Sequence, residues 1–248
     1  MWTYLAIFLS ISVVIGVFVR RVFLYYKGKD EKEDSTKGAE QDEKEKKKLE
    51  RISRKDKGRV EALVVKAEGK VKAGKEDEAI KLFVQALAID QHHLETQNRL
   101  AMLYMKKQMY SAAAALFKNL GELTEDAVHY SHLGLAYYNQ SLLGEAKEAY
   151  QRAVSLDPSR PQRFVSLSLV YKSLGDLANA VIALNKAREL DQENIDYLFL
   201  YAELQTDLGN LDEAAEIVNK ILELDKDNEE AKTFLKRIKT MIKNSSLN

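Results

Sequence analysis

Small and apolar side chains recur along the chain with a period of about 34 residues. Alanines are spaced 34, 33, 34 and 34 residues apart, at Ala79, Ala113, Ala146, Ala180 and Ala214. Twelve residues before each alanine is a second small residue, at Ala67, Ala101, Gly134, Ser168 and Ala202. Larger apolar side chains follow each alanine by four residues, at Phe83, Phe117, Tyr150, Leu184 and Val218. Each period can hold two helices that pack closely where their small residues meet.

Turn signals divide each period in two. Gly74, Gly175 and Gly209 lie between the two predicted helices, where a residue in the left-handed conformation ends a helix at low cost. Polar segments rich in Asp and Asn separate the periods, with the sequences DQHH, DPSR, DQEN and DKDN. After the last of these segments, residues 229–243 place Phe234 and Ile238 on one apolar stripe, which predicts an amphipathic capping helix.

The pattern resembles the tetratricopeptide repeat (TPR) family, whose unit is a 34-residue helix–turn–helix. The resemblance is clearest at residues 129–158, in the slots Leu133, Gly134, Tyr137, Ala146, Tyr150, Ala153 and Pro158. It implies an all-α TPR solenoid of about five repeats, at 60–93, 94–126, 127–160, 161–194 and 195–228, followed by the capping helix 229–243 and a tail at 244–248. Repeats one and two depart from the pattern at Lys66, Lys70 and Gln97.

The N-terminal segment has a different character. Residues 2–19 contain no charged side chain, and as a helix they would span about 27 Å, close to the thickness of a bilayer core. We therefore expect a single transmembrane anchor at residues 1–26, inserted through residues 2–26, and a charged linker at 27–58. Because Arg20, Arg21, Lys27 and Lys29 follow the apolar run and no basic side chain precedes it, the C-terminal domain is expected in the cytoplasm. The alternative is the reverse orientation, with the domain in the periplasm or an equivalent space.

Composition and charge exclude several classes of function. The 248 residues include no cysteine, which excludes disulfide scaffolds, thiolate metal sites and cysteine catalysis. Basic and acidic side chains number 38 each, but from Gly58 onward the sequence has 24 basic and 28 acidic residues. A mildly acidic domain is a poor binder of phosphate backbones, so we expect no nucleic-acid partner.

The sequence offers no catalytic constellation. His129 and His132 could share one helix face, but a third metal ligand is missing and Glu125 is only a distant candidate. They are interpreted as surface residues of a first helix. No phosphate-binding loop or hydrolase motif is present. We therefore predict a non-enzymatic protein without cofactor or metal.

The resemblance implies a binding groove lined by the first helix of each repeat. Carried over slot by slot, the family's groove positions fall on Val64, Glu68 and Glu203 and on the candidate site residues Asn98, Met102, Met105, Ser131, Leu135, Tyr138, Asn139, Val165, Leu169, Lys172 and Phe199. Apolar side chains edged by Asn and Lys suit an extended peptide or a short amphipathic helix. Chaperone-binding relatives hold a C-terminal carboxylate with Lys and Asn at the slots of Val64 and Glu68, so chaperone tails are not expected as partners.

The sequence thus predicts a membrane-anchored TPR scaffold that recruits a protein partner to the cytoplasmic face of the membrane. The alternative orientation would make it an outward-facing, chaperone-like or envelope-assembly factor.

Overall fold

The computed structural model describes residues 54–245, which form eleven α-helices and no strand. The predicted anchor, the linker up to residue 53 and residues 246–248 lie outside the described residues. Within residues 54–245, none of the helices combines the length and the apolar character that crossing a membrane requires.

The helices form five pairs and one terminal helix. In chain order they are α1 Arg54–Lys72, α2 Glu76–Ile89, α3 Leu94–Lys106, α4 Tyr110–Thr124, α5 Ala127–Asn139, α6 Leu143–Leu156, α7 Pro161–Ser173, α8 Leu177–Leu190, α9 Ile195–Asp207, α10 Leu211–Leu224 and α11 Glu229–Ser245. We call α1, α3, α5, α7 and α9 the first helices, and α2, α4, α6, α8 and α10 the second helices. Helix α1 begins inside the predicted linker, and α11 extends two residues beyond its predicted end.

The periodic small residues lie where paired helices meet, as the TPR pattern predicts. The five alanines that define the period on the second helices have no exposed surface. The apolar side chains four residues later are all buried, at Phe83, Phe117, Tyr150, Leu184 and Val218. These side chains belong to hydrophobic clusters that follow one another along the array, each built from neighbouring helices. The predicted all-α TPR solenoid is confirmed.

Gly134 on α5 lies directly against the Tyr150 ring of its second helix α6. A Cβ atom placed on this glycine would lie 2.8 Å from Cδ2 of the Tyr150 ring on α6. It would also lie 2.9 Å from Cγ, the ring atom next to the Tyr150 backbone, and the ring is buried. The ring therefore cannot rotate away from the added atom at low cost. At the equivalent slot of the next repeat, Ser168 donates a hydrogen bond of 2.7 Å to the Ala180 carbonyl of its second helix.

One backbone position repeats with the same period as the alanines. The turn inside each repeat contains a residue of positive φ, at Gly74, Gln108, Ser141, Gly175 and Gly209. The left-handed conformation was predicted at the three glycines. Gln108 and Ser141 adopt the same conformation, with φ of 58° and 60°. The geometry of the helix pair therefore imposes the left-handed residue even where a Cβ atom makes it unfavourable.

The second repeat is one residue shorter than the others because its second helix is longer and the connection that follows is shorter. Helix α4 extends one residue further past its defining alanine than the other second helices do. Glu125 then adopts a φ of 51°, and Asp126 caps α5 by accepting a hydrogen bond from the Val128 amide. Only residues 125–126 connect α4 to α5, whereas the other repeats are joined by four residues.

Gln97, which departs from the apolar pattern, is buried, and both polar atoms of its side chain are hydrogen-bonded. Its amide nitrogen donates to the Gln91 carbonyl at 2.6 Å, and its amide oxygen accepts from Asn119 on α4 at 2.8 Å. Gln97 thus makes hydrogen bonds to the preceding turn and to α4 at a slot where other repeats have an apolar side chain. These hydrogen bonds avoid the cost of an unsatisfied buried amide.

The contact between Gly134 and Tyr150 predicts a position-specific effect of adding one methyl group. Gly134→Ala should lower the free energy of unfolding by about 1–3 kcal/mol, because the methyl group overpacks a rigid contact. At the exposed helical position Gly69, a Cβ atom would meet nothing within 4 Å. There the same substitution should raise stability by up to about 1 kcal/mol through helix propensity. Urea denaturation followed by circular dichroism measures both variants, and equal effects at the two positions would contradict the close-packing explanation.

Candidate functional site

An exposed apolar row crosses the first helices. Met102 on α3, Leu135 on α5 and Leu169 on α7 occupy the same helical position and are 45%, 40% and 37% exposed. Glu68 and Glu203 occupy this position on α1 and α9. The row therefore has three apolar side chains in the middle and a carboxylate at each end. We call the exposed side of the five first helices the first-helix face.

Polar contacts along this face join α1 to α3, α5 to α7, and α7 to α9. Arg99 on α3 pairs with Glu68 on α1 at 2.9 Å. The Tyr138 hydroxyl on α5 is hydrogen-bonded to Ser173 on α7 at 3.3 Å. Lys172 on α7 then pairs with two carboxylates of α9, Asp207 at 2.9 Å and Glu203 at 3.7 Å. These contacts link first helices of different repeats beside the apolar row.

A cleft of about 700 Å³ lies between α1 and α3. Val71 and Met102 supply apolar surface at this cleft, and Asn98 lies beside them. Charged side chains surround it, at Glu68, Lys72, Glu95, Arg99 and Lys106. The cleft can therefore hold an apolar side chain and a polar or charged neighbour.

A second cleft, of about 750 Å³, lies between α5 and α7. Leu135 and Val128 line one side of it, and Arg163 is buried in its wall. The Arg163 guanidinium donates to the Asp157 carbonyl and carboxylate and reaches Ser131 Oγ at 3.3 Å. Hydrogen bonds from Ser159 and Arg163 hold the pKa of the Asp157 carboxyl well below its usual range. The charge of Arg163 is thus paired with a carboxylate of the protein, and Leu135 and Val128 contribute exposed apolar surface to the cleft.

His132 also lines this cleft but is not the surface residue that the sequence suggested. It lies on α5 next to α4, and its ring stacks on Phe117 with 5.0 Å between centroids. Burial lowers the pKa of the His132 imidazole, and the nearby His129 lowers it further. His129 instead is hydrogen-bonded to the Thr124 hydroxyl at 2.9 Å. Within residues 54–245, no group of three or more His, Asp or Glu side chains is placed to hold a metal ion.

The structure divides the predicted groove residues into two sets. Met102, Leu135, Asn139 and Leu169 are exposed, and seven others are half-buried: Asn98, Met105, Ser131, Tyr138, Val165, Lys172 and Phe199. Three of the half-buried side chains pack mainly on the core. Met105 packs beside the Phe117 cluster, Val165 beside the Leu184 cluster, and Phe199 stacks on Phe234 of α11.

The slot-by-slot prediction missed several cleft residues. Val71, Glu95 and Arg99 line the first cleft, while Val128 and Gln162 line the second. Each lies one turn of helix, or one position, from a predicted groove residue. Their helical neighbours at i+3 and i+4 could have indicated them, because side chains at this spacing share a helix face.

Charge is distributed unevenly on the first-helix face. Helix α5, in the middle, contains no Lys, Arg, Asp or Glu. At one end, α1 and α3 carry both signs, whereas at the other end α9 carries only acidic side chains, Asp196, Glu203 and Asp207. A ligand lying across the face would therefore contact uncharged surface in its middle and carboxylates at one end.

Comparisons with known proteins agree with this architecture. Models of the tetratricopeptide repeat family match residues 70–133, 130–160 and 171–238. A crystal structure of MamA is 27% identical, with a TM-score of 0.62 over 66% of this chain and 96% of that chain. MamA from Desulfovibrio magneticus RS-1 is 17% identical, with a TM-score of 0.63 over 69% of this chain and 97% of that chain.

A further solved structure is YrrB, described as a TPR protein with an unusual peptide-binding site. It is 19% identical, with a TM-score of 0.60 over 70% of this chain and 90% of that chain, and it therefore shares the fold. No curated protein sequence matches this chain significantly.

The burial of His132 predicts a pH dependence of stability. The lowered pKa means that the unfolded chain binds a proton more readily than the folded one. The free energy of unfolding should therefore decrease as pH falls below about 6.5, the ordinary pKa of histidine. His132→Phe keeps a ring against Phe117 but cannot titrate, so its stability relative to the wild type should rise between pH 7.5 and pH 5.5. Urea denaturation at both pH values tests this, with His92→Phe at an exposed turn as the control. A pH-independent difference between wild type and His132→Phe would contradict the prediction.

Proposed function

This chain belongs to the tetratricopeptide repeat family, and we propose that it is a non-enzymatic scaffold that binds a protein partner on the first-helix face while anchored to a membrane. The observation that carries the proposal is the apolar row of Met102, Leu135 and Leu169. Single exposed apolar residues are common on protein surfaces, but here three consecutive repeats each expose one at the same helical position. Such a row suits the side chains of an extended peptide or a short amphipathic helix.

The charges on the face suggest the chemistry of the partner. Uncharged α5 favours apolar side chains in the middle of the ligand, where a charge would lose its hydration without a partner. Near α9, Glu203 and Asp207 favour a basic group, although Lys172 already neutralises part of their charge. The preferred ligand is therefore a segment with apolar residues in its middle and Lys or Arg toward the α9 end.

A chaperone-type carboxylate tail fits this face poorly. The slots that hold such a tail in other family members are Val64, which is buried here, and Glu68, which pairs with Arg99. YrrB supplies an example of peptide binding on this fold, but its identity of 19% transfers the fold alone. The proposed use of the face therefore rests on this chain's own surface.

Membrane anchoring is supported by the sequence of residues 2–26. The uncharged run at 2–19 is long enough to cross a bilayer as a helix, and Arg20 and Arg21 follow it directly. The charge asymmetry favours a cytoplasmic position for the repeats. Anchoring would raise the local concentration of a captured partner at the membrane surface.

The first-helix face can be tested with a display library of random twelve-residue peptides. Peptides selected on the full chain in lipid nanodiscs should be rich in apolar residues. Leu135→Asp combined with Leu169→Asp should weaken their affinity by about 100-fold, because two charges enter an apolar contact. The control is Ile182→Asp on second helix α8, since Ile182 is 60% exposed. Undiminished affinity of the double variant, with helicity preserved, would show that another surface binds the peptides.

Topology can be measured cleanly because the chain has no cysteine. Ser245→Cys places one thiol at the exposed end of α11. In intact cells, a membrane-impermeant maleimide should leave this thiol unlabelled until the cells are lysed. Labelling before lysis would instead place the repeats outside and support the outward-facing alternative. Recovery of the chain in the soluble fraction would contradict anchoring itself.

A further inference from the structure

The cleft between α1 and α3 has a lining that suits one class of side chain. Phe83 and Leu103, which are both buried, line it from the core, and Val71 and Met102 add exposed apolar surface. Its volume of about 700 Å³ is within the range of about 300–1,000 Å³ that small-molecule pockets have. The cleft therefore accommodates one large side chain of a ligand.

Arg99 on α3 lines the same cleft and is held by two carboxylates. Its Nε atom lies 2.9 Å from Glu68 Oε1, and its Nε and Nη2 atoms donate to Glu95 Oε1 at 3.2 and 3.0 Å. Because the N–H groups of a guanidinium lie in its plane, these carboxylates bind its edge and leave its faces for stacking. The Arg99 side chain is 47% exposed, so a ligand in the cleft can reach it.

Other arginines of this chain stack on aromatic rings. Arg188 on α8 donates to Asn185 Oδ1 through Nη1, and its guanidinium carbon lies 4.0 Å from the centre of the Tyr201 ring on α9. On α11, the guanidinium carbon of Arg237 lies 4.7 Å from the centre of the Phe234 ring. In both pairs the negative face of a ring meets the positive guanidinium, which is the arrangement that the faces of an edge-bound arginine favour.

Two neighbours of Arg99 on α3 favour an aromatic ligand as well. Met102 is three residues further along the helix, so the two side chains lie on the same side of it. The Met102 thioether is polarisable, and sulfur makes favourable contacts with aromatic rings. Asn98, which also lines the cleft, offers an amide to the hydroxyl of a tyrosine or the N–H of a tryptophan, groups that need a hydrogen-bond partner when they are buried.

We propose that this cleft is an anchor pocket that takes an aromatic side chain of a protein partner, with its ring stacked on the Arg99 guanidinium. An aliphatic side chain would gain burial against Val71 and Leu103, whereas an aromatic ring gains the guanidinium and thioether contacts in addition. The inference rests on the proposed function, because it names the residue type that the α1–α3 end of the first-helix face selects.

Methionine methyl groups can report on this pocket directly. The chain has five methionines, so isotopic labelling of their methyl groups in the full chain, held in zwitterionic nanodiscs, gives a simple NMR spectrum. Met102→Leu assigns the signal of interest. The probe N-acetyl-phenylalanine amide should shift the Met102 signal through the ring current of its aromatic ring. The signal of Met241, which is exposed on α11, should stay in place and is the control within the same spectrum.

A saturated ring separates stacking from burial. N-acetyl-cyclohexylalanine amide has nearly the same size as the phenylalanine probe but no π electrons. Arg99→Gln removes the positive charge and keeps a planar amide, so it should lower the ratio of the phenylalanine to the cyclohexylalanine affinity about threefold. Arg152→Gln is the matched control, because Arg152 on α6 is 48% exposed and also pairs with a carboxylate, that of Glu125, outside this cleft. It should leave the ratio unchanged.

The pocket and the proposed function fail in different measurements. The proposed function fails if the selected peptides keep their affinity for the variant Leu135→Asp with Leu169→Asp. The pocket fails if Arg99→Gln leaves the affinity ratio of the two amino-acid probes unchanged. Because the two measurements use different ligands and different variants, either can fail while the other succeeds.

Three results would overturn the proposal. A Met102 signal that does not move at the highest soluble probe concentration would show that the aromatic ring does not enter the cleft. The same affinity ratio in the wild type and in Arg99→Gln would make the cleft an apolar pocket without preference for aromatic rings. A Met102 signal that shifts with protein concentration alone, before any probe is added, would make a second copy of the chain the occupant.

Discussion

The close approach of two helices at small residues is the contact on which the rest of this structure depends. Where Gly134 meets Tyr150, or Ser168 meets the backbone of α8, the helix axes are nearer than larger side chains would permit. The apolar residue four positions after each alanine then fills the space beside the contact. The turn between the helices must close this tight pair, and this explains why Gln108 and Ser141 accept a positive φ that glycine adopts freely.

This constraint also determines where function can be placed. A first helix uses one side for its own second helix and another for the preceding repeat, so the side that remains is repeated along the array. Met102, Leu135 and Leu169 stay exposed because packing makes no demand on them. The same position can hold Glu68 or Glu203 without cost to the fold, which allows the chemistry of the face to change along its length while the scaffold stays constant.

Much of the fold could be predicted from the sequence because close packing restricts residue type with a fixed period. The candidate site was harder to predict from the sequence, since close packing does not restrict residue type at exposed positions. Phe199 occupies a groove position yet stacks on Phe234, which the repeat pattern alone does not reveal. His132 was interpreted as a surface residue, but its contact with Phe117 depends on the angle between two repeats. The anchor at residues 2–26 lies outside the described residues and stays a prediction.

The two ends of the array show how a repeat protein avoids unlimited self-association. Each internal repeat presents a surface that its neighbour covers, so the first and last units must differ from the rest. At the first repeat, Leu63 borders a cleft together with Lys66, which replaces an apolar residue of the repeat pattern. At the last helix, Lys236 and Lys239 stand where small and aromatic residues pack in other repeats. Because both ends carry lysine, end-to-end stacking of two copies would bring like charges together.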